Sequence, residues 1–107
     1  MAEDRLTQLL QFLEATPSDP FLLYAVALEY QQKGLKAESL NYFNRLTSEH
    51  PDYLGTYYQL GKLHEEMETF EQAKVAYKRG IEVAIKQGSQ KTLSELQGAL
   101  MNLEIME

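Results

Sequence analysis

The two histidines are the residues of this chain best suited to acid–base or metal chemistry, and neither has the neighbours that chemistry needs. His64 and Glu68 stand i, i+4 in "HEEME", superficially the spacing of a zinc helix, yet the second histidine of the metalloprotease pattern is missing. Glu65, Glu66, Glu68 and Glu71 read instead as a solvated acidic stretch around a turn, with His64 at an interhelix packing position. His50 precedes Pro51 in a turn and has no recognisable partner. The glycines are dispersed rather than gathered into a phosphate-cradling loop, no nucleophile motif appears, and the absence of cysteine removes thiolate and disulfide chemistry. No catalytic residue, metal ligand or cofactor is therefore expected.

Composition excludes other classes. The chain has 107 residues, 44% of them hydrophobic, which suits one domain with a real core. A formal charge of −6 argues against nucleic-acid binding, which needs a basic face to displace counterions from phosphates. "MAEDR" lacks the basic and apolar regions of a secretory signal, and the longest apolar run, "FLLYAVAL", has eight residues, too few for a membrane span. A cytoplasmic protein is expected, in keeping with a reducing compartment.

The elements that position these residues read as helical almost throughout. Leu6, Leu9, Leu10, Phe12 and Leu13 give an amphipathic first helix, ended by Pro17, which pushes Thr16 out of the helical region. Asp19 before Pro20 caps a second helix that runs to about Lys33 and stops at Gly34. A third spans about Lys36 to Glu49, a fourth about Asp52 to Met67, and a fifth about Phe70 to Gln87, stopped by Gly88. Ser89 caps a sixth, with Leu93, Leu96, Leu100 and Leu103 on one face. Six helices joined by short turns imply an antiparallel array.

Gly61 lies inside the fourth helix, where glycine costs roughly 1 kcal/mol relative to alanine. A neighbour packed too closely for any Cβ would account for it. The sequence also repeats at a step of 34: Pro17 to Pro51, Leu23 to Tyr57, Val26 to Leu60, Ala27 to Gly61, Tyr30 to His64, Phe43 to Tyr77 and Leu46 to Gly80. Leu9 and Phe12 precede Phe43 and Leu46 by the same step. Identities between residues 17–50 and 51–84 number three, so matched size and polarity carry the repeat. Ala27 and Gly61 are then the small residues at which the first helix of each pair meets the second.

This period and pattern resemble the tetratricopeptide repeat. The second unit matches at Tyr57, Leu60, Gly61, His64, Phe70, Ala73, Tyr77 and Gly80, and the first at Leu23, Val26, Ala27, Tyr30, Gly34, Ser39, Phe43, Leu46 and Pro51. Departures are His64 in a tyrosine place, Glu68 in a turn-glycine place, Ser39 in an alanine place, and no proline near Ile85. The resemblance implies an all-α fold of antiparallel helix–turn–helix repeats stacked as a short right-handed superhelix. One domain is divided into an N-terminal half repeat (1–16), repeat one (17–50), repeat two (51–87) and a C-terminal capping helix (88–107).

It further implies a non-catalytic module that binds a peptide or partner segment on the concave side. The side chains there would be Tyr24, Leu28 and Gln31 from repeat one, and Tyr58, Gln59, Lys62, Glu65 and Glu66 from repeat two. Tyr24 and Tyr58 would present matched aromatic surfaces, or alternatively cover the edge of the core. The carboxylate-gripping residues of some family members have no counterpart at Tyr24, Leu28 and Gln59, and a carboxylate ligand would also meet Glu65 and Glu66 with Lys62 the only nearby compensating charge, so a neutral-apolar or basic partner is expected, with neither nucleic acid nor membrane. Lys74, Lys78, Arg79 and Lys86 would lie on the convex face, keeping it soluble. Leu93, Leu96, Leu100, Met101, Leu103 and Met106 make the last helix more apolar than one packing face demands. Either it caps the fifth helix, or it offers Leu and Met to a partner or to a second copy in a homodimer.

Overall fold

A computed structural model describes residues 4–106. Among the described residues the backbone forms six helices: α1 (Arg5–Ala15), α2 (Pro20–Gln32), α3 (Lys36–Glu49), α4 (Gly55–Glu66), α5 (Phe70–Gln87) and α6 (Gln90–Met106). The chain divides into two compact units, Met1–Tyr53 and Leu54–Glu107.

Helix boundaries follow local chemistry. Asp19 caps α2 as its spacing requires, its carboxylate accepting from the amides of Phe21 (2.9 Å) and Leu22 (3.2 Å), with Pro20 in the first turn. The same device opens α1, where Asp4 accepts from Thr7 N at 2.9 Å. Helix α4 begins three residues later than Asp52 suggests. Residues 50–53 form a turn instead, closed by Tyr53 N donating to His50 O at 3.0 Å. Phe12 is corrected as well: Leu9 and Leu13 are buried, whereas Phe12 is 63% exposed.

The turns repeat more faithfully than the side chains. At the end of α2, Gly34 takes φ +76° and Leu35 N donates to Tyr30 O at 3.0 Å. Thirty-four residues on, Glu68 takes φ +59° and Thr69 N donates to His64 O at 2.9 Å. Both are Schellman closures, which need a left-handed residue after the helix. Gly88 ends α5 in the same way, with φ +70° and Ser89 N donating to Ala84 O. The α1–α2 linker, in turn, copies residues 50–53. Thr16 N to Phe12 O and Asp19 N to Thr16 O match His50 N to Leu46 O and Tyr53 N to His50 O at the same step.

In the first unit, α2 packs against both α1 and α3. Leu23, Val26, Ala27, Phe43 and Leu46 are fully buried. Ser39 is buried with them because its hydroxyl donates to Ala27 O at 2.8 Å, so the hydroxyl in an alanine place is satisfied.

In the second unit, α5 packs between α4 and α6 around a core of Tyr57, Ala73, Tyr77, Ala84, Leu96, Ala99 and Leu103. A Cβ on Gly61 would stand 2.2 Å from Tyr77 Cε1, and one on Gly80 would stand 2.5 Å from Tyr57 Cβ. The neighbour inferred for Gly61 is therefore the ring of Tyr77. Leu96, Ala99 and Leu103 of α6 are buried in this core, while Met101, Ile105 and Met106 remain exposed.

Candidate partner-binding surfaces

In the first unit a cleft of about 300 Å³ opens along α2. Its walls are Phe21, Tyr24, Ala25, Leu28, Glu29 and Gln32, with Arg5 reaching in from α1. The α2 residues recur at helical i, i+3 and i+4 spacing and form one stripe. Tyr24 and Leu28 thus lie where a ligand could touch them, whereas Gln31 is half-buried beside the stripe. Sequence reasoning missed Arg5, Phe21, Ala25, Glu29 and Gln32, although extending the Tyr24–Leu28 stripe by a turn in each direction identifies all but Arg5. Phe21 is 63% exposed, and Tyr24 is held from behind by Tyr53 (centroids 5.5 Å apart) and Phe43 (6.3 Å). The tyrosine is therefore oriented by packing yet half-exposed, so its edge role and its availability are compatible.

In the second unit, the α4 positions equivalent to this stripe hold Gly55, Tyr58, Gln59, Lys62, Leu63 and Glu66. Tyr58 is half-buried against Tyr77 at 6.3 Å, and Lys62 Nζ stands 5.5 Å from the Tyr58 ring centroid and 3.9 Å from Glu65 Oε2. Gln59 is half-buried and Glu66 is exposed. Glu65 departs from the expected solvated acidic stretch, since it is half-buried and accepts the hydroxyl of Tyr77. Burial, that hydrogen bond and the adjacent carboxylate charge push the Tyr77 phenol well above its ordinary value of 10.0. Glu65 is thereby fixed in place, with Lys62 as its counterion.

The histidines have structural partners. His64 Nδ1 lies 2.7 Å from the Thr69 hydroxyl, which itself donates to His64 O at 3.1 Å. A hydroxyl has one proton to give, so Nδ1 carries the ring proton and donates. Burial lowers the His64 pKa below its usual 6.5. His50, far from lacking a partner, places Nε2 2.5 Å from Ser18 O, while the Ser18 hydroxyl donates to Glu49 at 2.7 Å.

Ser18, His50 and Glu49 are the residue types of a hydrolytic triad in the wrong arrangement. The ring nitrogen nearest the serine donates to a carbonyl and cannot act as its base. Arg45 completes this knot by donating to Pro17 O at 2.8 Å, which ties the α1–α2 linker to the end of α3. Among the described residues, no group of three or more His, Cys, Asp or Glu is placed to hold a metal ion, and no helix is long and apolar enough to cross a membrane. On α5, Lys74 pairs with Glu71 at 3.5 Å, and Arg79 lies 5.5 Å from the Tyr57 ring centroid.

Helical hairpins repeating at a 34-residue step, with shape-bearing rather than reactive side chains on the first helix of each, define a helical-repeat interaction protein. Comparison with known proteins gives the family. A tetratricopeptide repeat model matches residues 54–84. A tetratricopeptide repeat domain protein from Salinibacter ruber is 45% identical, and its crystal structure superposes with a TM-score of 0.79 over 83% of this chain and 99% of that one.

A solution structure from the same organism gives 0.81 at 45% identity, covering 85% and 92%. The Sgt2 TPR domain from Aspergillus fumigatus gives 0.77 at 25% identity, covering 92% of this chain and 66% of that one. No curated protein matches the sequence significantly. The chain belongs to the tetratricopeptide repeat family, whose domains are in general non-catalytic modules that bind protein partners.

Proposed function

We propose that this protein is a cytoplasmic, non-catalytic interaction module that binds a peptide or partner segment on the exposed faces of α2 and α4. The residues assigned are Tyr24, Leu28 and Gln31 in the first unit, and Tyr58, Gln59, Lys62, Glu65 and Glu66 in the second. The cleft along α2 carries this reading: it puts Tyr24 and Leu28 beside the exposed ring of Phe21, an apolar surface that an extended or helical segment can cover. The partner is neutral-apolar or basic, in accord with the fixed carboxylate of Glu65 on the second face. In repeat terms, α1 is the second helix of an incomplete unit, a reading supported by the matching linker geometry at residues 16–19 and 50–53. The test is capture from the organism's own cell extract. Tyr24→Ala with Tyr58→Ala should abolish it while helical circular dichroism is retained, and an unchanged capture profile rejects these surfaces.

A second reading rests on α6, where Met101, Ile105 and Met106 are exposed on the helix that caps the second unit. Such a stripe could pair with its own copy in a homodimer. Size-exclusion chromatography with light scattering decides it, since a monomer at every concentration removes this reading.

A further inference from the structure

We propose that Glu29 is the anchor for a basic side chain of the bound segment, and that Arg5 occupies this anchor in the free protein as a built-in competitor. The inference rests on the cleft reading above and adds the chemistry of its occupant. Glu29 stands in the α2 wall of the cleft with its side chain 15% exposed, and Arg5 Nε approaches Glu29 Oε1 to 2.8 Å. A carboxylate so far withdrawn from water needs a compensating cation.

Arg5 supplies one from an exposed position, its own side chain being 67% accessible. It is also the first residue of α1, at the positive end of the helix dipole, where a cation is unfavourable. The pairing with Glu29 offsets that unfavourable placement. Lys33, at the C-terminal end of α2, is turned to Asp4 at 3.3 Å.

Only the Arg5 end of this pair is exposed and it engages Glu29 through Nε, so an incoming guanidinium that meets the carboxylate with two nitrogens can take its place. Beside the anchor, Phe21, Tyr24, Ala25 and Leu28 supply apolar surface, so the fitting occupant carries arginine or lysine next to a bulky apolar residue. The chain's charge of −6 draws such a segment in. The anchor is not duplicated, because the equivalent position in the second unit is the buried Leu63.

The experiment is calorimetric titration of the full chain with the acetylated and amidated hexapeptide Ala-Arg-Leu-Leu-Arg-Ala, and with a control in which norleucine replaces both arginines. Removing the competitor with Arg5→Gln should tighten the arginine peptide about three- to fivefold, the scale of an ion pair whose cation is exposed to solvent. Glu29→Gln should weaken it by about tenfold or more, as expected for loss of a charge-assisted contact, and cancel the gain from Arg5→Gln in the double variant. Glu29→Asp, which keeps the charge but shortens its reach, should fall between. Thermal melts of each variant check that α1 remains docked.

Equal affinity for wild type and Glu29→Gln, with binding lost in Tyr24→Ala, overturns the anchor and leaves the apolar cleft standing. No binding of either peptide overturns both. A control peptide that gains from Arg5→Gln as much as the arginine peptide does also overturns the competitor role.

Discussion

The ring of Tyr77 occupies the space in which a side chain of Gly61 would begin, 2.2 Å from an ideal Cβ, and Tyr57 stands against Gly80 in the same manner from the opposite helix. Each helix of the second hairpin thus offers a tyrosine to the other's glycine. The first hairpin fills the equivalent positions with Ala27 and Phe43 for one pair and Leu23 with Leu46 for the other. Alanine with phenylalanine has become glycine with tyrosine, and leucine with leucine has become tyrosine with glycine. Volume is redistributed across each contact rather than lost, as close packing demands. The redistribution also carries the Tyr77 hydroxyl out to Glu65, linking the core to the α4 face.

Adding atoms at Gly61 should therefore be costly although alanine is the better helix former. Tyr77 is fully buried and tethered at its hydroxyl, so it cannot swing aside. Gly61→Ala should lose about 1–3 kcal/mol to overpacking, offset by about 1 kcal/mol of propensity. Gly61→Leu, with no such room, should lose several kcal/mol, about the upper end of overpacking costs. Denaturant titration measures both, and an unaltered midpoint for Gly61→Leu contradicts this account of the glycine.

Much of this was legible because helix periodicity and the 34-residue step are properties of residue size, and size survives substitution. Asp19, Pro20, Gly34 and Gly88 marked boundaries because each acts through its own backbone or cap. Less visible were features that depend on a partner distant in sequence. Glu65 reads as one more solvated acid until Tyr77 is seen to reach it through the gap left at Gly61. Arg5, which nothing in the sequence singles out, gains a partner only when α1 docks beside Glu29. Phe12 shows the converse: its spacing places it with Leu9 and Leu13, but the described neighbours of α1 cover those two leucines and leave the ring exposed.

Glu68 provides a test in the opposite direction. It holds φ +59° in a turn whose counterpart is glycine, and a non-glycine residue there carries about 1–2 kcal/mol of strain. Glu68→Gly relieves that strain but adds about 0.4–1 kcal/mol of unfolded-chain entropy. A net gain of roughly 0.5–1 kcal/mol is expected, seen as a melting temperature a few degrees higher. A lower one would mean that the left-handed turn is not populated.

Alkaline pH should weaken the fold through Tyr77. Its folded pKa is raised by burial and by Glu65, so the folded state keeps a proton that the unfolded chain releases near pH 10. Stability from this group is complete below about pH 10, the ordinary tyrosine value, and declines as pH rises further. Tyr30 is shifted in the same direction by burial, so wild type must be compared with Tyr77→Phe. The variant should be less stable at neutral pH, having left Glu65 without its donor, and should show a shallower alkaline decline. Parallel slopes would separate Tyr77 from the alkaline transition.

Mild acid should act through His64 with the opposite sign. Its folded pKa is lowered by burial, so the unfolded chain binds the proton more readily and stability falls as pH drops below about 6.5, the ordinary histidine value. Carboxylates with lowered values, Asp4 and Glu49 among them, contribute only nearer pH 4. Between about pH 7.5 and 5.5, His64→Asn should therefore flatten the change in denaturation midpoint. The asparagine amide nitrogen stands where Nδ1 did and can still donate toward the Thr69 hydroxyl, so a loss of stability equal at both pH values would assign His64 a packing role alone.

The two faces of α6 should respond differently to substitution. Leu96 is fully buried and its methyls lie 3.0 and 3.1 Å from where a Cβ of Gly80 would stand, so the leucine closes the core over the glycine left open for Tyr57. Leu96→Ala opens a cavity between α5 and α6 and should cost about 2–5 kcal/mol. Ile105, 74% exposed, makes no comparable contribution, and Ile105→Lys should change stability by less than about 0.5 kcal/mol. If the exposed face serves self-association, Ile105→Lys should instead shift the sedimentation coefficient toward that of a monomer while leaving the melt of the dilute protein unchanged. That one variant separates a helix that only caps the second unit from one that also joins two copies.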